Sequence, residues 1–313
     1  MNLQRLKPHL PWITLLVLVA GVGLYDPGFL KPQSLLLLIG DIVPLFIMAL
    51  GLTFAIYIGG IDLSAQSMAN LITVVATVYL ASLGFGVLFL CILVGLLLGA
   101  LSGYVTTRLF VPSFISTLAV GGICISASQW LSGNRGLNMD AEQRNRLFGW
   151  MIGKVGIVPN ELIIAVALLL ICLFIERRTT LGRVLKAVGA GEMAAAASGV
   201  NVARYKILAF AISGALAAMA GFLFSIKLSG GAPAIANGFL LPAIVAVLVG
   251  GTPLTGGVGG VLNTAIGTMI VAVIRASMLY LGVEATQQQM VFGLVLIAAI
   301  ALTIDRSKLR TVK

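Results

Sequence analysis

What most constrains this chain is a succession of apolar runs, each closed by glycine, proline or charge. A helix rising 1.5 Å per residue needs about 20 residues to cross a bilayer core of about 30 Å. Runs of that kind lie near 12–25, 35–58, 65–82, 86–105, 112–131, 161–175, 207–226, 259–282 and 287–304, with a shorter one at 240–249. Together they predict about ten crossings. Gly40-Asp41 and Pro44 are expected to interrupt the second run, and 240–249 covers only about half a bilayer, so it reads as a half-helix or part of a broken one.

Composition supports that reading. The 313 residues are 59% hydrophobic and only 10% charged, with a mean hydropathy of +1.10. So few charges cannot cover the surface of a soluble globule of this size. The chain is therefore read as an all-α, polytopic membrane protein forming a single transmembrane domain over 1–313, and not as a soluble enzyme or a disordered protein.

The net charge of +10 is a matter of topology. Most basic residues cluster in the N-terminal tail (Arg5, Lys7), in 176–206 and in the C-terminal tail (Arg306, Lys308, Arg310, Lys313). Such clusters mark cytoplasmic segments. Six crossings followed by four return the chain to the same side at 176–206 and at the C-terminus, so both termini are expected in the cytoplasm. No nucleic acid is implied. Segment 133–159 then falls outside, its basic residues partly offset by Asp140, Glu142 and Glu161. The first run resembles a signal peptide but lacks a small-x-small cleavage site, so it reads as an uncleaved first helix.

Little in the chain suggests chemistry of its own. His9 is the lone histidine, and Cys91, Cys124 and Cys172 each sit inside an apolar run, so no metal or cofactor site is expected. No phosphate-cradling loop occurs: Gly149 to Lys154 has the wrong spacing and is followed by Val155. No catalytic residue is assigned, and ATP-driven work would need another chain. Intramembrane ionisable groups are few: Asp41, Asp62 and Arg275. Asp62 reads either as a carboxylate capping the following helix or as a ligand contact. Arg275 could meet a solute or pair with an acid such as Asp62. Gly95, Gly99 and Gly103 share one helix face and permit close helix approach.

Two further patterns stand out. Gly59-Gly60-Ile61-Asp62-Leu63-Ser64 resembles Gly250-Gly251-Thr252-Pro253-Leu254-Thr255, which suggests a weak internal repeat, 44–108 against 241–306, a pattern found in transporters. Between basic residues, Met193–Ala197 favours a short helix, with Glu192 in its first turn and Gly199 suited to its C-terminal cap. It is too short to span, and a short helix of small residues can enter a groove on another protein.

These landmarks, with Thr180-Leu181-Gly182-Arg183 and the run Val249 to Gly259, occur in the order and spacing found in permease subunits of bacterial ABC importers. From about 35 to 304 the chain resembles the ribose/xylose/galactoside permease family, with branched-chain amino-acid permeases as more distant relatives. The resemblance implies a ten-helix, type II-like importer fold. It also implies a cytoplasmic ABC ATPase, a periplasmic substrate-binding protein and a second permease copy or related permease as partners. The solute would be a monosaccharide or similar polar molecule, with amino acids or nucleosides as alternative cargo and an ATPase-independent secondary transporter or channel as the alternative mechanism. Glu192, Met193, Ala194, Ala195, Ser198 and Gly199 would form the ATPase-coupling segment. Pathway residues are expected at Asp62, Ser64, Gln66, Asn70, Thr255, Asn263 and Arg275. Gln66 and Asn70 share a helix face, where neutral amides could bond solute hydroxyls or neighbouring helices. The chain departs from the family pattern at Ala65-Gln66, where Val-Gly is usual, at Leu240 and Pro242 in place of acids, at Val258 in place of a basic residue, and at Ala196 in place of the coupling arginine.

Overall fold

In the computed structural model, residues 10–303 are described; the basic tails, His9 and the last residues of the second repeat copy lie outside them. Thirteen helices are described: α1 (Leu10–Tyr25), α2 (Pro32–Tyr57), α3 (Ala65–Leu83), α4 (Gly86–Arg108), α5 (Ser113–Ser132), α6 (Ala141–Ile152), α7 (Asn160–Arg178), α8 (Thr180–Ala190), α9 (Glu192–Ala197), α10 (Val202–Leu228), α11 (Leu240–Val249), α12 (Val261–Tyr280) and α13 (Ala285–Thr303). Two antiparallel pairs of two-residue strands accompany them: 137–138 with 230–231, and 154–155 with 158–159.

Among the described residues, six helices are long and apolar enough to cross a membrane: α2, α3, α4, α5, α10 and α12. The apolar stretches of α1, α11 and α13 are shorter. Helix α7 has sufficient length but carries Glu161 near its start and Glu176-Arg177-Arg178 at its end. Large apolar side chains such as Leu16, Phe89, Leu118, Ile171 and Phe174 are exposed, as expected of a surface that meets lipid.

Helix α10 is the centre of the bundle, packed against α4, α2 and α3. The close approach to α4 rests on the three glycines spaced four apart. A Cβ added at Gly103 would lie 2.7 Å from the Ile207 Cα, and one added at Gly99 would overlap the Phe210 carbonyl. Gly214 of α10 meets Gly95 in the same way, so the two backbones touch where any side chain would separate them.

Helix α2 is continuous through Gly40-Asp41 and Pro44, contrary to the expected interruption. Pro44 has no N–H for the carbonyl four residues earlier, which is that of Gly40. The Lys227 ammonium supplies the missing donor to Gly40 O at 3.2 Å. It also pairs with Asp41 at 3.1 Å and Glu161 at 3.0 Å. An ammonium from a neighbouring helix thus satisfies the freed carbonyl, and the helix has no reason to break.

Segment 133–159 is a built element. Asp140 caps α6 through the Glu142 N–H at 3.0 Å, and Phe148 packs between Phe85 and Phe222. Arg144 donates to the Ile226 carbonyl at 3.2 Å and to the Ser229 hydroxyl, closing the C-terminal end of α10. The segment therefore sits at the opposite end of α10 from α8 and α9.

Candidate translocation and coupling sites

Two stretches without helix run through the bundle, and each is followed by a helix that starts inside it. The first, 58–64, is held by α5. The Ser113 hydroxyl accepts from Ile61 N at 3.1 Å. The Thr117 hydroxyl accepts from Leu63 N at 3.1 Å and donates to Ile61 O at 3.2 Å. Asp62, only 1% exposed, accepts from the Ser64 N–H at 2.9 Å, the Ser64 hydroxyl at 2.6 Å and the Ser213 hydroxyl of α10 at 2.6 Å. It shapes the turn ahead of α3 and ties that turn to the central helix, fully hydrogen-bonded.

The second stretch, 229–239, is held largely by one stripe of α3, with Gln289 Nε2 of α13 donating to Gly238 O at 2.8 Å. The Thr73 hydroxyl exchanges bonds with Ala232 N and O, at 3.2 and 3.1 Å. Asn70 Oδ1 accepts from Ala236 N at 2.6 Å. Gln66 Oε1 accepts from Gly238 N at 3.0 Å and Leu240 N at 3.2 Å. Asn237 Oδ1 accepts from both Asn70 Nδ2, at 2.9 Å, and Gln66 Nε2, at 3.4 Å. The first turn of α3 thereby caps the first turn of α11, and two helix N-termini adjoin within the bundle.

Of the expected pathway residues, Asp62, Ser64, Gln66 and Asn70 meet at these junctions, with all but Gln66 buried. The two side-chain amides are bonded to the chain itself. Thr255 is exposed and Asn263 half-buried in and beside the glycine-rich stretch 250–260, at the other end of α11. Arg275 does not pair with Asp62. Its guanidinium lies over the Phe239 ring, 4.7 Å from the centroid, in a separate pocket.

At the end of the bundle where α2 stops, the two glycine landmarks are neighbours. Gly257 N donates to Tyr57 O at 2.9 Å, and the Thr255 carbonyl would meet a Cβ on Gly59 at 3.3 Å. Helix α8 lies across them. Thr179 caps it through Gly182 N at 3.3 Å, and Gly189 is in backbone contact with Tyr57 and Gly257. Lys186 pairs with Glu176 of α7 at 2.5 Å, donates to Gly259 O at 2.9 Å and stands 5.0 Å from the centre of the Tyr57 ring. The other Glu176 oxygen accepts from Val261 N at 3.0 Å, at the first residue of α12. A buried carboxylate thus caps α12 and anchors α8 at once. A lone Glu at the end of an apolar run does not reveal this role in sequence. Nor do Ser113 and Thr117, whose only signal is a spacing of four.

Helix α9 has six residues, about one and a half turns. Gly199 closes it with φ +81°; Gly199 N bonds Ala196 O at 3.0 Å and Val200 N bonds Ala195 O at 3.2 Å, a Schellman end. Met193 is 87% exposed, Ala194, Ser198 and Gly199 are exposed, and Ala195 faces inward. Glu192 pairs with Lys206 at 2.6 Å.

Residues 34–300 match the family model described as the permease component of branched-chain amino acid transport systems. The chain is 31% identical to the ribose import permease protein of Haemophilus influenzae, over 92% of this chain and 90% of that one. It is 32% identical to a probable ABC transporter permease protein of Escherichia coli K12, over 95% and 90%. It is 29% identical to the xylose transport system permease protein of the same organism, over 88% and 86%. No solved structure matches. A match over most of its length, on a bundle with six helices fit to cross a membrane, means that the chain belongs to this permease family as a multi-pass membrane transport component.

Proposed function

We propose that this chain is the membrane-spanning subunit of an ATP-driven ABC importer that carries a monosaccharide or similar small polar solute into a bacterial cell. Its partners are a cytoplasmic ABC ATPase, a periplasmic substrate-binding protein and a second permease copy or related permease. It lies in the inner membrane with about ten crossings, including the broken spans that end in α3 and α11, and with both termini in the cytoplasm. The similarity to ribose and xylose permeases supports the sugar class.

The observation that carries the mechanism is α9, an exposed turn of small side chains mounted on α8, which is bonded through Lys186 and Glu176 to the start of α12. Glu192, Met193, Ala194, Ala195, Ser198 and Gly199 form the foot that the ATPase grips, Ala195 from the inner side. A push on that foot reaches the glycine-rich stretch and α12 through side chains in direct contact. The solute passes beside the junction of the two broken spans. Gln66, Thr255, Asn263 and Arg275 are accessible to it, while Asp62, Ser64 and Asn70 hold the walls.

The test is co-purification. Tagged chain, extracted in mild detergent with its operon neighbours, is expected to retain an ATPase whose hydrolysis rises with loaded binding protein. Glu192→Arg is expected to reduce that stimulation. A chain that never retains an ATPase would refute the reading.

A further inference from the structure

Helix α7 has the length of a membrane span but not the apolar height. Between Glu161 and Glu176 only residues 162–175 are free of ionisable groups. At 1.5 Å per residue they rise about 21 Å, against a bilayer core of about 30 Å. Glu161 is buried and turned into the bundle, where it accepts from Lys227 at 3.0 Å. The opposite face of α7 is a stripe of exposed apolar side chains, Ile163, Val166, Leu170, Ile171 and Phe174, part of the surface that meets lipid. That stripe needs about 9 Å more to match the core.

The chain just before α7 carries apolar side chains at the right place. Strands 154–155 and 158–159 pair in a hairpin, Lys154 with Pro159 and Val155 with Val158, turned at Gly156 with φ +62°. Val155 is 65% exposed and Ile157 76% exposed. Trp150, in the last turn of α6, is 54% exposed, while Phe148 and Met151 beside it face inward. Asn160 fixes where this group stands. It begins α7 on the exposed stripe, one helical turn before Ile163. Its backbone N–H donates to Gly153 O at 2.9 Å and its side-chain amide to Trp150 O at 2.5 Å. The hairpin and Trp150 are thereby held at the end of the stripe and continue it past the first residue of the helix. Tryptophan is a residue of membrane interfaces. Lys154, exposed at the base of the hairpin, can lay its stem along apolar surface while its ammonium stays in water. Strand pairing meets backbone groups that lipid would leave unmet. We propose that Trp150, Val155 and Ile157 form an apolar collar that inserts into the lipid interface at the start of α7 and makes up the missing height of its lipid-facing surface.

The experiment uses the full-length permease in phosphatidylcholine liposomes. The native cysteines are buried, so Val155→Cys and Ile157→Cys each offer one site for a nitroxide label. Collisions of the label with oxygen, which concentrates in lipid, are compared with collisions with a water-soluble nickel chelate. Leu170→Cys on the stripe and Ser198→Cys on α9 serve as lipid and water references. Labels at 155 and 157 are expected to favour oxygen several-fold more than the label at 198. Preference for the chelate overturns the collar. Protection from both agents means that protein, a second copy or another partner, covers the hairpin, and it overturns lipid as the occupant. Bilayer thickness gives a second readout. Val155→Ser combined with Ile157→Ser is expected to match wild type in unfolding temperature in bilayers of short acyl chains. In bilayers of long acyl chains it is expected to fall several degrees below wild type. A loss of equal size in both bilayers, as from simple damage to the hairpin, or a loss in neither, overturns the claim that the collar supplies height. Neither readout needs an ATPase or a solute.

Discussion

The ion pair between Glu176 and Lys186 gives the reasoning about the coupling end its most direct test. Glu176 is 7% exposed and Lys186 30%, with 2.5 Å between them. At an effective dielectric near 20, the gross attraction at that distance is about 6–7 kcal/mol. Desolvating two charges takes back several kcal/mol of it. The carboxylate also serves Val261 N and the ammonium also serves Gly259 O, so removing either side leaves polar groups unmet. Glu176→Ala, which strands both Lys186 and the start of α12, is expected to cost about 3–5 kcal/mol. Glu176→Gln keeps an acceptor for Val261 N and is expected to cost about 1–3 kcal/mol. Lys186→Met leaves a buried carboxylate with one donor and is expected to cost about 2–4 kcal/mol. The pair Glu176→Gln with Lys186→Met removes both charges and should be less damaging than the sum of its parts by about 1.5–3 kcal/mol. The assay is equilibrium unfolding of the four forms in mixed micelles with a denaturing detergent. Additivity of the single changes to within about 0.5 kcal/mol would refute the idea that these residues act as one unit. In the assembled transporter, the single changes are also expected to leave the ATPase bound while lowering its response to loaded binding protein.

Gly99→Leu is expected to destabilise the bundle by about 1–3 kcal/mol or more, because its Cβ meets the Phe210 backbone. Gly122→Ala, where nothing lies within 4 Å, is expected to be neutral or stabilising by up to about 1 kcal/mol; the same unfolding assay reads both. Lys227→Met strands Gly40 O and Glu161 and is expected to cost about 3–5 kcal/mol. Adding Pro44→Ala restores an N–H for Gly40 O and should recover about 1 kcal/mol, so an additive loss would show that Lys227 does not serve that carbonyl. Asn237→Ala removes the acceptor shared by Gln66 and Asn70 and is expected to cost about 1–3 kcal/mol and to raise hydrogen exchange across 232–240.

Elements governed by local chemistry were legible in the sequence. The short apolar run 240–249 coincides with α11, Gly199 closes α9 as its lack of a Cβ allows, and the glycines of α4 face a partner helix. Elements decided by distant partners were not. Pro44 reads as a break until Lys227, far along the chain, is seen to reach the carbonyl it frees. Segment 133–159 reads in sequence only as a polar segment because the aromatic pocket that receives Phe148 comes from Phe85 and Phe222. Spacing puts Gln66 and Asn70 on one face, but their bonds to 236–240 depend on a tertiary fit that no spacing reveals. Of the ten expected crossings, length and composition qualify six helices among the described residues, and the stretches that precede α3 and α11 form turns rather than regular helix.

That last feature bears on how the chain is made. As synthesis proceeds from the N-terminus, α3 is placed long before residues 229–249 emerge. Those later residues offer the insertion machinery a ten-residue apolar helix behind a non-helical stretch, together too short to cross a bilayer core as regular helix. Their backbone donors find acceptors on Gln66, Asn70 and Thr73, side chains already positioned by an earlier helix. The α3 stripe thus meets backbone donors of a segment made later, and changes to it are expected to be felt first as a failure of the second half of the protein to integrate.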